Sequence, residues 1–300
     1  MPGLVTPLEA VINFAVPKAE LSSEQQARIS AKFDIDDPVP SRKANVPIFD
    51  LRAELDAGMG GRDAAEQLDE RGYAVIKNTS EVAPSTGLTT VEATEAYKEE
   101  CCRLFEDLLG ASKVIAWNAV VRDAGEGQPD VKGTQQMKVE KEFASASSLK
   151  AVAGFAHVDQ DDVYARTIIK RAAGDDVFEK YSRLQIINIW RPLRGPVTNN
   201  PLAVCDFSTL DVEKDILHMA GSYGTAYGVS TSPSQRWGYV SNMMPDEAYL
   251  LRCYDSNQGR DGEALYAGHV ACSVLNEPKD GGGVEVPRRS VEVRLFVLHE

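Results

Sequence analysis

The chain has 300 residues, 43% hydrophobic and 26% charged, with a formal net charge of −13 and an isoelectric point near 4.9. That length suffices for one large domain with a substantial core, and the composition is ordinary for a globular protein. An acidic surface without a Lys/Arg cluster repels phosphate backbones, which argues against nucleic acid, and no apolar run approaches the ~18 residues of a membrane span.

The N-terminus MPGLVTPLEAVINF lacks the basic and apolar regions of a secretory signal, and Leu298-His299-Glu300 is no known address signal, so a cytoplasmic protein is expected. The five cysteines, Cys101, Cys102, Cys205, Cys253 and Cys272, are odd in number and form no C-x-x-C. Reduced thiols are expected, not a disulfide framework or a zinc site.

In chain order, 1–45 reads as an arm over a core, with one helix around Ser23–Phe33. Asn45–Arg52 reads as a short strand. Asp63–Gly72 reads as a helix ended by its glycine, followed by a strand Tyr73–Lys77. Val91–Leu109 carries apolar residues at helical spacing and stops at Gly110. Val114–Arg122 is strand-like. The Gly-, Gln-, Lys- and Ser-rich stretch 123–150 has no periodicity; it is expected to be a substrate-covering lid or a surface excursion. Residues 161–184 read as one or two helices broken at Ala173-Gly174-Asp175, and Gln185–Trp190 as a strand closed by Arg191-Pro192. GPVTNNPLAVCDFSTL is turn-rich, and LDVEKDILHMAG reads as a helix. Short strands are expected around SQRWGYVSNM, AYLLRCYD and LYAGHVACSV, a loop at NEPKDGGG and a last strand within 284–298. The expected class is α+β: flanking N-terminal helices on a jelly-roll core, also called a double-stranded β-helix. The whole chain is read as a single domain, with an arm (1–45), a helical and strand support (46–113) and the core (114–300).

The chemistry is concentrated in three places. His157 and Asp159 are two apart, so in a strand both project to one side. With a distant histidine they can form a two-histidine, one-carboxylate site, which suits Fe(II) and leaves coordination positions open. A lone H-x-D pair arises often by chance, and such a histidine is commonly a surface or capping residue. The chain holds only four histidines, however. His299 is penultimate and His218 falls in the helical reading, so His269, in a strand-like run after Gly268, is the preferred third ligand. In the last strand Arg288, Ser290, Glu292 and Arg294 fall on one face. Lining a barrel, Arg288 and Ser290 would grip a carboxylate, with Arg294 the rival; on a plain surface strand the same alternation would simply be solvated. Asn188 and Trp190 share a face, so one of them could touch a keto acid or substrate.

The strings HVDQDD, NIWRPLRGPVTNNPLAVCD, RWGYVSNMMPDEAYLLRCYDS and PRRSVEVRLFV, in that order, resemble the fungal hydroxylase/desaturase family that includes gibberellin-desaturase-like and aspergillic-acid-type hydroxylases. The resemblance runs from Val114 to the C-terminus. It implies an Fe(II)- and 2-oxoglutarate-dependent oxygenase of secondary metabolism. Such an enzyme uses O2 to oxidise an unactivated C–H bond of a small molecule, by hydroxylation, desaturation or ring closure, and releases succinate and CO2. It implies His157, Asp159 and His269 as metal ligands and Arg288 and Ser290 as the 2-oxoglutarate clamp; Asn188, from its place on the strand, is a further candidate cofactor contact. The substrate is expected to be an amino acid or a derivative, ahead of a terpenoid or polyketide. Two positions depart from the family pattern: Gln235 stands where a histidine precedes the Arg-Trp pair, and Asp161 replaces a hydroxyl residue. The competing readings are a non-catalytic jelly-roll binding protein, a methyltransferase, which the missing glycine-rich strand-to-helix turn argues against, and a triad oxygenase without 2-oxoglutarate. The oligomeric state is left open.

Overall fold

A computed structural model of the chain describes residues 8–30, 39–123, 154–221, 224–257, 264–275 and 287–300. The helix Val91–Leu109 forms where local chemistry asks for it: the Thr90 side chain accepts the Ala93 N–H at its start, and Gly110 ends it at φ 62°. Tyr97, Cys101 and Phe105, four apart, are buried on one stripe. That stripe needs an apolar sheet to cover it.

The strands are β1 (Leu8–Ala15), β2 (Ser41–Asp50), β3 (Tyr73–Lys77), β4 (Lys113–Asp123), β5 (His157–Val158), β6 (Arg183–Pro192) and β7 (Leu202–Cys205). They continue with β8 (Ile216–Gly221), β9 (Gly224–Val229), β10 (Trp237–Tyr239), β11 (Glu247–Asp255), β12 (His269–Ala271), β13 (Ser273–Leu275) and β14 (Arg289–His299). Among the described residues they form a five-stranded sheet, β3-β11-β6-β14-β4, and a nine-stranded sheet, β13-β1-β2-β10-β7-β12-β5-β9-β8.

Strand alternation gives the five-stranded sheet two unlike faces. Val121, Ile187, Ile189, Val291, Val293 and Leu295 point outward and bury the helix stripe with Leu68. Each such side chain taken from water is worth about 1.5–3 kcal/mol. The residues between them, Ser290, Glu292 and Arg294, point inward and are almost wholly buried. The inner faces of the two sheets meet where Trp190, Tyr249 and Leu251 pack against Leu202 and Val204. The polar side chains of β14 are therefore enclosed between sheets. The α+β jelly-roll expectation is borne out, and no helix among the described residues is long and apolar enough to cross a membrane.

Gly72 is one position where only glycine fits. It sits at φ 80°, and a Cβ there would lie 2.4 Å from the Tyr266 carbonyl oxygen. It also closes the helix Ala64–Arg71, whose start is a reciprocal capping box between Asp63 and Glu66.

Three expectations are corrected. The N-terminal arm is in part a strand of the large sheet: β1 lies between β13 and β2, with Ala10, Ile12 and Phe14 fully buried. The turn-rich segment before Leu210 contains β7, an inner strand between β10 and β12 whose residues are all buried. LDVEKDILHMAG is helical only over Val212–Asp215 and then becomes β8. The Asp215 carboxylate accepts the Asp211 N–H and the Gln235 amide, which ends the turn, and pairing with β9 takes over the backbone from Ile216. The helices Asp162–Ala173 and Val177–Lys180 break where expected. The lid reading of 123–150, apart from Asp123, and the whole loop NEPKDGGG fall outside the described residues. All five cysteines are free thiols.

Candidate metal centre

β5 is a two-residue strand held between β12 and β9. His157 pairs directly with His269 across β12 and with Gly228 across β9. Directly opposed residues share a face, so the two imidazoles are brought together, with ring centroids 4.6 Å apart. Gly228 permits the arrangement, because a Cβ there would lie 2.9 Å from the Ala15 side chain. Asp159 follows β5 and returns its Oδ1 to 3.4 Å from His157 Nε2. One ligand atom from each of His157, Asp159 and His269 lies within 4.8 Å of the other two.

The protonation states suit a cation. His157 Nδ1 lies 2.7 Å from the Phe155 carbonyl and His269 Nδ1 3.1 Å from the Ala267 carbonyl. A carbonyl can be met only by an N–H, so Nδ1 is the donor in each ring and Nε2 is the nitrogen left to face a cation. Burial, then the neighbouring His157, pushes His269 down to about 4, so its ring is neutral. Burial alone would push Asp159 up, but the Arg294 guanidinium and the imidazoles hold it well below the carboxylate range. Two imidazoles and one ionised carboxylate, with no thiolate among the described residues at the cluster, are a donor set that fits Fe(II).

Asp159 is held by its other oxygen. Oδ2 accepts from Arg294 Nε at 2.9 Å, Arg294 Nη2 at 2.8 Å and Asn188 Nδ2 at 2.8 Å. Asn188 Nδ2 also reaches Glu292 Oε1 at 2.7 Å. With Oδ2 saturated, only Oδ1 faces the histidines.

A family model described as "Oxidoreductase/YMDC permease-like domain" matches residues 16–298. The chain belongs to that oxidoreductase family. Its relatives bear out the resemblance read from the motifs. It is 29% identical over 250 residues to the hydroxylase/desaturase efuI of Hormonema carpetanum, covering 78% of this chain and 79% of that one. To the alpha-ketoglutarate-dependent dioxygenase phiK of a fungal species it is 27% identical over 257 residues, covering 83% and 85%. A 40% match over 126 residues to aspirochlorine biosynthesis protein N of Aspergillus oryzae covers 39% of this chain and about half of that protein, 49%. The iron and alpha-ketoglutarate-dependent endoperoxidase NvfI shares the fold, at a TM-score of 0.70 and 21% identity over 98% of both chains.

Within the family's motifs, the structure divides roles that the sequence could not. Arg288 is 3% exposed and lies over the Trp190 ring, 5.4 Å from its centroid, while one Nη donates to the Asn200 carbonyl. Its Nε and the Ser290 hydroxyl are buried with no hydrogen-bond partner among the described residues. Burial, then the nearby Arg122, pushes the Arg288 guanidinium down to about 9; it remains a cation at neutral pH, and no carboxylate among the described residues forms an ion pair with it. Arg294, the rival clamp, is instead committed to Asp159, 3.4 Å from Glu292 and 3.3 Å from the Asn118 amide oxygen. Asn188 is likewise turned to Asp159 and Glu292. On the opposite face of β6, Arg191 donates to the Tyr97 hydroxyl and to the carbonyls of Asn78 and Pro245, so the W-R pair serves the site with one residue and the outer packing with the next.

His218 is not brought to the cluster. It stands on β8, its side chain 55% exposed, with Nε2 on Asp161. His299 bonds the Gln185 side chain at 3.0 Å. The two departures from the family pattern have local work. Gln235 links the Asp215 carboxylate, the Ser230 carbonyl and the Trp237 indole, and Asp161 caps the helix Asp162–Ala173 through the Tyr164 N–H.

Proposed function

We propose that this oxidoreductase is an Fe(II)- and 2-oxoglutarate-dependent oxygenase that oxidises an unactivated C–H bond of a small molecule and releases succinate and CO2. The observation that carries the proposal is the convergence of His157, Asp159 and His269 beside a buried, anion-seeking Arg288 and Ser290. The names of efuI, phiK and NvfI point the same way.

In this reading Nε2 of each histidine and Oδ1 of Asp159 would hold the metal, and a three-residue set of this kind would leave coordination positions for the keto acid and O2. The bound metal with its keto acid supplies the activation of O2 that C–H oxidation needs. The protein's residues do the rest. The carbonyls of Phe155 and Ala267 fix the tautomer and tilt of each ring. Arg294 and Asn188 hold Asp159 to one-oxygen ligation, which keeps a position open. Ser290 donates to the far carboxylate of 2-oxoglutarate, and Arg288, backed by Trp190, meets that carboxylate with its remaining N–H groups. Trp190, Tyr249, Leu251 and Val204 wall the region and exclude water.

Hydroxylation, desaturation and ring closure all begin with the same hydrogen abstraction, so the scaffold serves any of them. An amino-acid derivative is the substrate class to test first, against a terpenoid and a polyketide. The test is succinate formation with Fe(II), ascorbate, 2-oxoglutarate and O2. The reading expects succinate in step with oxidised product and none from His157→Ala. Full succinate formation by His157→Ala and His269→Ala would overturn it. A chain that binds neither Fe(II) nor 2-oxoglutarate would instead be a non-catalytic jelly roll.

A further inference from the structure

Arg288 is held by a turn that lies far from it in the chain. Its backbone N–H donates to the Asn199 side-chain oxygen at 3.0 Å. One Nη of the same residue donates to the Asn200 carbonyl, and the guanidinium lies over the Trp190 ring. Two adjacent residues thus fix both the backbone and the tip of Arg288. An arginine side chain left free samples many rotamers, and a receptor binds more tightly when that freedom is removed before the ligand arrives.

The turn is itself constrained. Asn200 has φ 46°, in the left-handed region that residues other than glycine seldom adopt, and the Pro201 that follows narrows its backbone further. Asparagine enters that region more readily than most residues, and such conformations persist where the surroundings hold them. The residues after Asn200 do so. The Pro201 carbonyl accepts the Cys272 N–H at 3.1 Å, and β7 then runs beside β12, with Leu202 opposite Ala271 and Val204 opposite His269. One short segment therefore grips Arg288 at its start and is in register with a metal-site histidine four residues beyond the turn. It ties the two ends of the site together and sets the span between them. At the far end of that span, Arg288 Nε and Ser290 Oγ are buried without a hydrogen-bond partner among the described residues.

We propose that Asn199 and Asn200 are positioning residues for the keto acid: they hold Arg288 at a fixed distance from the metal site, so that its guanidinium meets the far carboxylate of 2-oxoglutarate without rearrangement. This rests on the oxygenase reading and adds to it a segment outside the Arg-x-Ser motif. The two residues act differently. Asn199 works through its side-chain oxygen. Asn200 works through its carbonyl, so its side chain matters only through the backbone conformation it allows.

The experiment is calorimetric titration of the full chain, loaded with Mn(II) so that no turnover occurs. 2-Oxoglutarate is compared with 2-oxopentanoate, its five-carbon counterpart without the far carboxylate. One hydrogen bond is worth roughly threefold to tenfold in an equilibrium, so Asn199→Ala is expected to weaken 2-oxoglutarate binding by that factor and to change 2-oxopentanoate binding by less than about twofold. Asn200→Gly, which accepts a positive φ, is expected to bind 2-oxoglutarate within about twofold of wild type. Asn200→Val, which resists it, is expected to lose about tenfold or more. Should Asn200→Val fail to fold, Asn199→Ala alone decides. The proposal is overturned if Asn199→Ala keeps its affinity for 2-oxoglutarate, or if a folded Asn200→Val matches Asn200→Gly. Equal losses for both acids in Asn199→Ala assign the residue to the fold and also overturn it. Wild-type protein that binds Mn(II) but not 2-oxoglutarate sinks the oxygenase reading itself, which separates the two failures.

Discussion

Replacing Arg294 by methionine keeps an unbranched apolar stem and removes the charged guanidinium. Asp159 then loses the contacts from Nε at 2.9 Å and Nη2 at 2.8 Å, and only Asn188 remains on Oδ2. Both partners are about nine-tenths buried, at 9% and 10% side-chain exposure, so solvent cannot replace the lost cation. Removing one partner of a buried ion pair costs about 3–5 kcal/mol, against a typical total stability of about 5–15 kcal/mol. At roughly 2–4 °C per kcal/mol for a domain of this size, the metal-free variant should melt about 6–20 °C below wild type. A divalent cation on Oδ1 supplies the missing positive charge, so the gap should narrow when Mn(II) is bound. Thermal melts in EDTA and in Mn(II) measure both numbers. If Arg294 is a keto-acid clamp and not a brace for Asp159, Arg294→Met will melt within about 2 °C of wild type in EDTA and will instead lose affinity for 2-oxoglutarate.

Other outcomes follow from the same structure. His218→Ala should retain full iron binding and turnover, because His218 is exposed on β8 and faces Asp161; iron lost from this variant and retained in His269→Ala would reverse the ligand assignment. Gly72→Ala should cost more than about 2 kcal/mol in a denaturant titration, since it combines an unfavourable φ with a Cβ 2.4 Å from the Tyr266 carbonyl oxygen; an effect below about 0.5 kcal/mol would mean that the 264–268 segment moves freely. Asp69 is pushed up by burial, but hydrogen bonds from Arg252 and Arg183 bring it below the ordinary carboxylate value. Its stabilisation is thus complete above pH ~4 and is lost as pH falls through the lower folded value. Asp69→Asn should therefore be less stable than wild type at pH 7 by about 1–3 kcal/mol, and the gap should shrink as acid titrates the folded carboxylate; a difference that stays constant as pH falls would contradict the ion-pair account.

How much of this was legible depended on how local the cause was. Val91–Leu109 could be read to the residue because its cap, its apolar stripe and its terminal glycine all lie within the segment. The His157–Asp159 pair and the alternation of Arg288, Ser290, Glu292 and Arg294 were visible because a strand has a period of two. What the last strand faces was not, since Asp159 follows a strand of one sheet, Arg294 lies in the other, and they meet only through the fold. Arg294 therefore stood as a rival clamp until its contact with Asp159 was seen. β7 and β8 were missed for a related reason: Leu202–Cys205 is too short to show a period, and Ile216–Gly221 follows a true helical turn and is extended only because β9 lies beside it. β1 could have been found, because Ala10, Ile12 and Phe14 alternate with less buried neighbours.

Anaerobic titration of the purified chain with Fe(II) and 2-oxoglutarate tests the centre most directly, by the metal-to-ligand charge-transfer band that appears only when the keto acid chelates the iron. Wild type should develop the band at one iron and one keto acid per chain, while His157→Ala, Asp159→Ala and His269→Ala should not. Absence of the band in wild type, or its undiminished appearance in His269→Ala, would contradict the account.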